Sequence, residues 1–383
     1  MRLLIAPDKF KDSLSAKEVC EAINAGVKNI DSSIITDLHP LADGGEGSLD
    51  IIEKHLECNR VSVKVQDSLG RDITADYLLS GKKAYLELAQ ANSLGSLKKS
   101  ERNPLFTSSF GTGQLILDAI DKGAKEINLF LGGSSTNDAA IGLMNALGVR
   151  FIDAGGHSLK PIGKNLALIS KIDMTSLRFN PDNFTFNVFS DVENPLHGKD
   201  GAAYAFAGQK GASREEIAYL NNGLINFSSV VNDSFGIGIS KVKGGGAAGG
   251  IAAGMYGLLN ATIKSGIDEI IRITGLEQKI KDSDIIITGE GRLDISSFSG
   301  KVVGKVIELA AKNNKKVLVL VGENLLDESY DFGTNVINVD SIINYAPAKE
   351  IAISNAAGFL EEMLVKNITR IIHHFNLYIG IYS

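Results

Sequence analysis

The first 27 residues, MRLLIAPDKFKDSLSAKEVCEAINAGV, indicate the fold class of the chain. Arg2 to Ala6 is a short apolar run of the kind that forms a buried strand. Ser15 and Glu18 follow in the spacing of a capping box, which marks the start of a helix. The apolar residues after them recur on one helical face: Val19, Cys20, Ile23 and Val27. The sequence therefore predicts a strand followed directly by an amphipathic helix.

The same order of strand and helix is found at both ends of the chain. Ile34–Leu41 predicts a second strand, and a second helix follows it with Leu49, Ile52 and Leu56 on one face. Near the other end, the predicted elements are strand Ile285–Thr288, helix Val302–Ala311, strands Val317–Val321 and Val336–Val339, and a final helix over about Asn355–Ile372. Alternating strands and helices are typical of a parallel sheet. Both chain ends are therefore expected to form a doubly wound, Rossmann-like sheet.

The middle of the chain has a different pattern. Residues Val61–Leu88 alternate in polarity and are broken at Gly70 and Gly81, which is typical of short antiparallel strands. We therefore expect an α/β protein of two domains. Residues 1–64 and 282–383 would form the doubly wound domain, and residues 65–281 an inserted mixed α/β domain. A cleft between two such domains is a usual place for a ligand.

Composition excludes several classes of protein. The chain has 383 residues, 44% hydrophobic and 22% charged, which is ordinary for a globular protein of two large domains. The formal net charge is −6, so no bulk positive field draws in nucleic acid or an anionic membrane. The uncharged stretch between Lys243 and Lys264 contains seven glycines and few large apolar residues, which argues against a membrane span.

Cysteine usage and the amino terminus predict a cytoplasmic protein. Cys20 and Cys58 are the only cysteines, and their separation suggests neither a disulfide framework nor a zinc site. The first apolar run is cut short by Pro7 and Asp8, which leaves too little for a signal peptide.

Four loops place small or acidic residues where backbone N–H groups and a helix dipole favour an anion. The first is DGGEG, in which Asp43 and Glu46 also have the spacing of a helix cap and its partner. The second is GGSSTND, residues 132–138, which could hold phosphate but lacks the lysine of a Walker A loop and also suits an ordinary cap. Its candidate phosphate contacts are Gly132, Gly133, Ser134, Thr136 and Asn137.

The third loop is KGGGAAGG, residues 243–250, with Gly244 and Gly245 as candidate phosphate contacts and a glycine run typical of close backbone approach. The fourth is TGEGRLD, residues 288–294, followed by Gly300 and Lys301. Acids and cations at the end of a buried parallel strand are poor packing residues but good partners for Mg²⁺ and phosphate. Further candidates of this type follow other predicted strands: Asp8, Lys9, Lys11, Asp191 and Asn194.

These ingredients suit phosphoryl transfer from ATP. That reaction needs Mg²⁺, cationic and backbone groups around the phosphates, and an acceptor for the hydroxyl proton. Neither the G-x-S-x-G elbow of hydrolases nor the H-E-x-x-H motif of zinc proteases is present.

Six ordered blocks closely resemble the bacterial glycerate kinase family that lacks a Walker loop. They are APDKFKDSLSA, PLADGGEG, GGSSTNDAAIGLMNALG, SDVENPLHGKDGAAYAFAGQKGA, GGGAAGG and TGEGRLD. The resemblance implies a two-domain kinase in which MgATP and D-glycerate meet in the cleft, with 2-phosphoglycerate favoured over 3-phosphoglycerate as product. It implies no nucleic-acid or membrane partner and is compatible with a homodimer. The chain departs from the family pattern at Ser296, where glutamine is usual, and at Val303, where proline is usual.

The resemblance also suggests roles. Arg292 with Lys9 or Lys11 would receive the glycerate carboxylate, because a guanidinium can pair with it through two hydrogen bonds. Asp191 would act as base or Mg²⁺ ligand. The remaining assignments are Asp43, Glu290 or Asp294 near the metal, Asp8, Asp294 and Asn194 near the substrate, Lys11 and Arg292 in catalysis, and Lys210 and Lys301 near phosphate.

Two alternatives stay open at this point. One is a kinase for another small hydroxy acid or sugar acid. The other is a sensor that binds a sugar acid or nucleotide without turnover, although charged residues at every candidate loop argue against it because buried charges are costly to retain.

Overall fold

The computed structural model describes residues 1–327 and 329–367, which form two compact units. The first unit combines residues 1–43 with the chain from residue 267 onward, and the second is the continuous segment 44–266. Each unit is built around its own sheet and its own hydrophobic core.

The described residues contain the following strands: β1 (Arg2–Ile5), β2 (Ile35–Leu38), β3 (Asn59–Gln66), β4 (Asp72–Ser80), β5 (Lys83–Glu87), β6 (Glu126–Phe130), β7 (Arg150–Ile152), β8 (Lys171–Asp173), β9 (Thr185–Phe189), β10 (Thr262–Lys264), β11 (Ile285–Thr288), β12 (Arg292–Leu293), β13 (Lys316–Val321), β14 (Glu323–Asn324) and β15 (Val336–Ser341). The helices are α1 (Ala16–Ile30), α2 (Ser48–His55), α3 (Leu88–Asn92), α4 (Phe110–Asp121), α5 (Ile141–Ala146), α6 (Arg214–Phe235), α7 (Ala247–Leu259), α8 (Gly266–Thr274), α9 (Leu276–Lys281), α10 (Val302–Lys312) and α11 (Lys349–Ser354). Residues 356–367 are also helical, and the predicted continuation of this helix to Ile372 lies outside the described residues.

The first unit has a five-stranded, fully parallel sheet in the order β15-β13-β11-β1-β2. Alternate residues of its strands point to opposite faces, as strand geometry requires. Leu3 and Ile5 pack with α1 and with the helical residues 356–364. α10 contacts β11 and β13, and its apolar face is buried. Helices on both faces make this sheet doubly wound, so the predicted fold class is confirmed.

The second unit has a six-stranded mixed sheet in the order β10-β9-β6-β5-β4-β3. β3, β4 and β5 pair antiparallel, as the alternating pattern predicts, and the pairs from β5 to β10 are parallel. The glycine-rich helix α7 buries Ile251, Met255 and Leu258 in the core of this unit. The inserted region is therefore mixed α/β.

The units divide at 43/44 and 266/267, whereas the sequence suggested 64/65 and 281/282. The first difference arises because β3 pairs along its whole length with β4 and so belongs to the second sheet. The second arises because α8 and α9 are tied to the first unit by ion pairs, Lys305 with Asp268 at 3.2 Å and Lys279 with Asp37 at 2.9 Å. That the two units act as separate functional domains stays a prediction.

Candidate functional site

The loops after β1 and β11 lie side by side at the carboxyl edge of the first sheet. The two strands are parallel neighbours, with Leu4 beside Ile286. The chain leaves β1 through α1 on one face and leaves β11 through α10 on the other. Neighbouring strands connected to opposite faces leave a crevice at their carboxyl ends, where doubly wound sheets bind ligands. The backbone N–H of Asp8 donates to the carbonyl of Gly289 at 2.8 Å and holds the loops together.

A pocket of about 540 Å³ lies in this crevice, entirely within the first unit. Four of the predicted acids line it: Asp8, Asp43, Glu290 and Asp294. Four of the predicted cations also line it: Lys9, Lys11, Arg292 and Lys301. The tertiary structure thus brings together residues from three separate stretches of the sequence.

Two of the acids are buried. Asp8 accepts a hydrogen bond at 2.7 Å from the backbone N–H of Lys9, yet burial and the charge of Asp43 raise the pKa of Asp8 above its ordinary value. Glu290 is 7% exposed, and burial raises its pKa to about 7. Its carboxylate is hydrogen-bonded to Ser297, but the Oε1 atom is buried without a hydrogen-bond partner. Buried acids with raised pKa values need a cation or a proton nearby, as in many functional sites.

The cations of the pocket are more accessible than these acids. Arg292 keeps 62% of its side chain exposed, with Nε 3.6 Å from Asp294 Oδ2. Lys11 is exposed and Lys9 is half-buried. These groups can therefore reach an anionic ligand without leaving a packed environment.

The capping explanation for Asp43 and Glu46 is wrong. The residue that precedes α2 is Gly47, in a left-handed conformation with φ +98°, and it makes no side-chain cap. Instead, the buried Glu87 accepts a hydrogen bond from the backbone N–H of Leu49 at 2.7 Å. The capping box of Ser15 and Glu18 at the start of α1, by contrast, is confirmed.

Glu323 and Lys349 also line the pocket, and neither was predicted from the sequence. Glu323 lies just beyond the carboxyl end of β13, and Lys349, at the start of α11, donates to its Oε2 at 2.7 Å. The position of Glu323 after the buried run Val317–Val321 was a usable signal, since charged residues at strand ends had already marked the other candidates. Nothing in the local sequence marks Lys349.

The loop 132–138 lies in the second unit, and its residues 134–138 are buried whereas Gly133 is exposed. Asp138 Oδ2 accepts hydrogen bonds from Ser109 N at 2.7 Å, Ser109 Oγ at 2.8 Å and Gly142 N at 3.2 Å. Burial still raises the pKa of Asp138. Polar side-chain atoms of Thr136, Asn137 and Asp138 are buried without a hydrogen-bond partner. Such unpaired groups are costly in a folded protein and mark places where a ligand or water is needed.

Lys210 supports this loop from inside the second unit. It is 2% exposed, and its Nζ donates to Ser134 Oγ at 2.8 Å and to the carbonyl of Thr136 at 2.7 Å. Burial lowers the pKa of Lys210 to about 7, against the opposing charge of Asp138.

The glycine run 244–250 packs directly on the same loop. A Cβ at Gly249 would lie 2.2 Å from the carbonyl oxygen of Thr136, and the N–H of Ala139 donates to the carbonyl of Gly249 at 3.0 Å. Ala139 and Ala140 both have positive φ values, a strained state for alanine that clusters at functional sites.

Asp191 and Asn194 follow β9 in the second unit. Asp191 Oδ1 accepts a hydrogen bond from the N–H of Gly266 at 3.0 Å, and Asn194 Nδ2 donates to the carbonyl of Asp200 at 2.7 Å. Both side chains are half-buried.

Several known proteins are similar to this chain over most of its length. A model described as the glycerate kinase family matches residues 3–373. A glycerate kinase from Halalkalibacterium halodurans is 38% identical over 86% of this chain and 87% of its own length. A glycerate 2-kinase from Escherichia coli is 38% identical over 84% of this chain and 85% of its own length. The chain belongs to the glycerate kinase family.

A solved structure supports the same assignment. A crystal structure from Salmonella typhimurium LT2, assigned as a glycerate kinase 2, is 34% identical with a TM-score of 0.77. The match covers 96% of this chain and 98% of that one. The family resemblance seen in the sequence motifs is therefore confirmed, and this family member is a kinase.

The two positions expected to depart from the pattern of the glycerate kinase family lie on either side of the pocket residue Lys301 in the sequence. Ser296 Oγ accepts a hydrogen bond from Lys301 Nζ at 2.7 Å, and the N–H of Ser296 donates to Asp294 Oδ1 at 2.8 Å. The short serine thus links an acid and a cation that both line the pocket. Val303 is fully buried in the first turn of α10, so this position contributes to packing.

The described residues of this glycerate kinase family member contain no group of three or more His, Cys, Asp or Glu side chains arranged to hold a metal ion. No helix among them is both long and apolar enough to cross a membrane.

Proposed function

We propose that this chain transfers the γ-phosphoryl group of ATP to a hydroxyl of D-glycerate, with 2-phosphoglycerate as the favoured product. Family membership supports the two substrates. The observation that carries the proposal is the pocket at the carboxyl edge of the first sheet, where buried acids and accessible cations converge.

In this proposal, Arg292 with Lys9 or Lys11 pairs with the glycerate carboxylate and orients the acceptor hydroxyl, and Asp8, Asp294 and Asn194 complete the substrate contacts. The hydroxyl oxygen bonds to the γ-phosphorus while the bond from that phosphorus to the bridging oxygen breaks, so ADP leaves with the electron pair. Asp191 takes the hydroxyl proton.

Magnesium is part of the proposal. Mg²⁺ usually binds one or two carboxylates together with phosphate oxygens and water, so three converging acids are not required. The unpartnered Oε1 of Glu290 and the mutual repulsion of Asp8 and Asp43 fit a cation at this end of the pocket. We propose Asp43 and Glu290 as the ligands, with Asp191 as the alternative. When bound, Mg²⁺ neutralises charge on the transferred phosphates.

The proposed phosphate contacts belong to the loop 132–138 with its supporting residues and to Lys301. Gly132, Gly133, Ser134, Thr136 and Asn137 would contact phosphate through the buried loop, with Gly244, Gly245 and Lys210 supporting it. Lys301 would contact phosphate from the first unit. The unpaired polar atoms of the loop support this assignment.

Phosphorus NMR of a mixture of enzyme, D-glycerate and MgATP tests the proposal directly. We expect ADP and a new phosphomonoester whose coupling to the single C2 proton identifies 2-phosphoglycerate. A product coupled to the two C3 protons would instead identify 3-phosphoglycerate. Turnover only with a different acid in a coupled ADP assay would favour the alternative kinase, and calorimetric binding of glycerate without ADP formation would favour the sensor.

The proposed base has its own test. Asp191→Asn keeps an oxygen that can accept the hydrogen bond from Gly266, so the fold should survive. We expect kcat to fall by about 10²-fold or more, as for loss of a general base. A kcat near that of the unchanged enzyme would remove Asp191 from this role.

Two further expectations concern the whole protein. We propose that it acts in the cytoplasm and as a homodimer, and light scattering of the purified protein checks the second point.

A further inference from the structure

The pocket of the first unit is much larger than glycerate. It extends along the carboxyl edge of the whole sheet, from Asp43 after β2 to Ile342 after β15. Its lining residues follow all five strands of that sheet. Glycerate is a three-carbon acid and fills only a fraction of that space. The volume of about 540 Å³ also lies in the range of pockets that hold larger ligands.

The two ends of the pocket differ in chemistry. Most of the charged residues lie beyond β2, β1 and β11, whereas an apolar wall lies beyond β15 and on the helices after it, next to the ion pair of Lys349 with Glu323. This wall consists of Ile342, Ile343, Ala352, Ile353 and Ala356. Ile353 is 40% exposed and Ile343 is half-buried, so the wall presents apolar surface that a small polar acid cannot cover. A nucleotide, with a flat base and a charged phosphate chain, matches both ends.

Between these ends lies the start of α10, a helix of 11 residues. Lys301 precedes it, lines the pocket and provides no side-chain cap to the helix. The neighbouring α1 differs, because Ser15 and Glu18 already satisfy its first N–H groups. The uncapped end of α10 can therefore accept an anionic group beside the Lys301 ammonium.

We propose that this pocket is the nucleotide site, with the adenine base against Ile343 and Ile353 and the phosphates directed to Lys301 and the start of α10. The inference rests on the proposed function for ATP as co-substrate, and it adds where the base binds. It leaves the charged end of the pocket, with Arg292 and Lys9, for glycerate. The two substrates then occupy adjoining parts of one pocket, as direct transfer requires.

Helix α11 offers a matched pair of variants. Ile353 lines the pocket and is 40% exposed, whereas Ile351 is 44% exposed on the same helix and does not line it. Ile353→Gln adds no charge, so it does not repel phosphate. We expect it to weaken ADP binding about tenfold in calorimetry, the effect of losing one apolar contact with the base. Ile351→Gln should change the dissociation constant less than twofold.

Inorganic tripolyphosphate serves as the second probe, because it has phosphates but no base. Its affinity should be equal in the unchanged protein and in both variants. Unchanged ADP affinity in Ile353→Gln, equal losses in both variants, or an equal loss for tripolyphosphate would each overturn the inference. Ile353→Ala, a milder change, should show the same pattern with a smaller loss and covers the case in which the glutamine variant fails to fold.

This experiment is separable from the test of the proposed function. If the unchanged protein binds ADP in an Ile353-dependent way but forms no phosphoglycerate, then the activity fails and the site stands. If phosphoglycerate forms but the dissociation constant for ADP does not change in Ile353→Gln, then the proposed position of the base is wrong and the activity stands.

Discussion

At the scale of single residues, the charged groups of the pocket differ in exposure: two of the acids are buried, whereas the arginine is accessible. Asp8 and Glu290 are buried and carry raised pKa values, so their state depends on what binds beside them. Arg292 is accessible and keeps only a long contact with Asp294. Acids held in place by the fold and cations accessible to a ligand are what an anionic substrate with a metal ion would need.

Arg292→Ala should raise the KM for glycerate at least about tenfold while changing the KM for ATP less than twofold, because charge-assisted hydrogen bonds are worth roughly 1.5–3 kcal/mol. Steady-state kinetics with each substrate varied separately measures both values. Arg272→Ala is a matched control, since Arg272 is also 62% exposed, pairs with Glu269 and does not line the pocket. Equal increases in both KM values would refute the assignment of Arg292 to glycerate.

Lys210 predicts a pH dependence of stability. Its folded pKa of about 7 lies below its ordinary value of 10.5, so between these pH values the unfolded state binds more protons than the folded state. The free energy of unfolding therefore rises with pH in this window through Lys210. Lys210→Met removes that contribution. The Tm of the variant, measured relative to the Tm of the unchanged protein, should therefore be highest at pH 7 or below and should fall as the pH rises towards 10. A difference independent of pH would contradict the lowered pKa.

At the scale of elements, the glycine run at the start of α7 is explained by contact between two backbones. Gly249 has φ +70°, and its α-carbon faces the carbonyl of Thr136 with no room for a side chain. The loop 132–138 and the helix start are therefore packed backbone to backbone. This close approach is what the run of glycines predicts.

Gly249→Ala should destabilise the protein by roughly 3 kcal/mol or more, because it adds a severe clash to the cost of a left-handed alanine. Gly236→Ala isolates the second cost, since Gly236 has the same φ of +70° but no atoms within 4 Å of an added Cβ. The control should lose about 1–2 kcal/mol. Denaturant unfolding measures both, and equal losses would show that the contact with Thr136 contributes nothing.

At the scale of the whole molecule, the second unit is a continuous insertion with its own core. Its buried apolar cluster runs from Val65 to Ala261 and includes no residue of the first unit. Its two ends meet, since a Cβ on Gly44 would lie 2.6 Å from the α-carbon of Gly266. Adjacent ends are typical of a domain inserted into another.

We therefore expect residues 44–266 to fold when produced alone. The fragment should unfold in one cooperative transition and should lack phosphoryl transfer, because the pocket of the first unit is missing. Circular dichroism during denaturant unfolding measures the transition, with the full chain as the reference. A gradual loss of signal would show that this unit depends on the rest of the chain.

Much of the fold could be predicted from local patterns. The apolar runs of β1, β11 and β13 and the stripe of α1 appear in the sequence with the period of the element they form, so their types were predictable. The 22-residue helix α6 was missed, although Ser213 and Glu216 form a capping box at its start. The antiparallel pairing of β3 follows from its alternating pattern, but the boundary expected at 64/65 divides β3, because the limits of a strand depend on the partner with which it pairs.

By itself, the sequence determined the family, the two sheets and most of the charged residues that line the pocket, since short motifs carry both the strand and the charged loop that follows it. Only the tertiary structure decided which acids are buried, that Lys210 lies beneath the loop 132–138, and that an apolar wall continues the charged pocket. Burial and pairing arise between segments far apart in the chain, and strand order brings those segments together. The physical reason is that pKa values and unpaired polar atoms are set by neighbours in space, which local sequence does not specify.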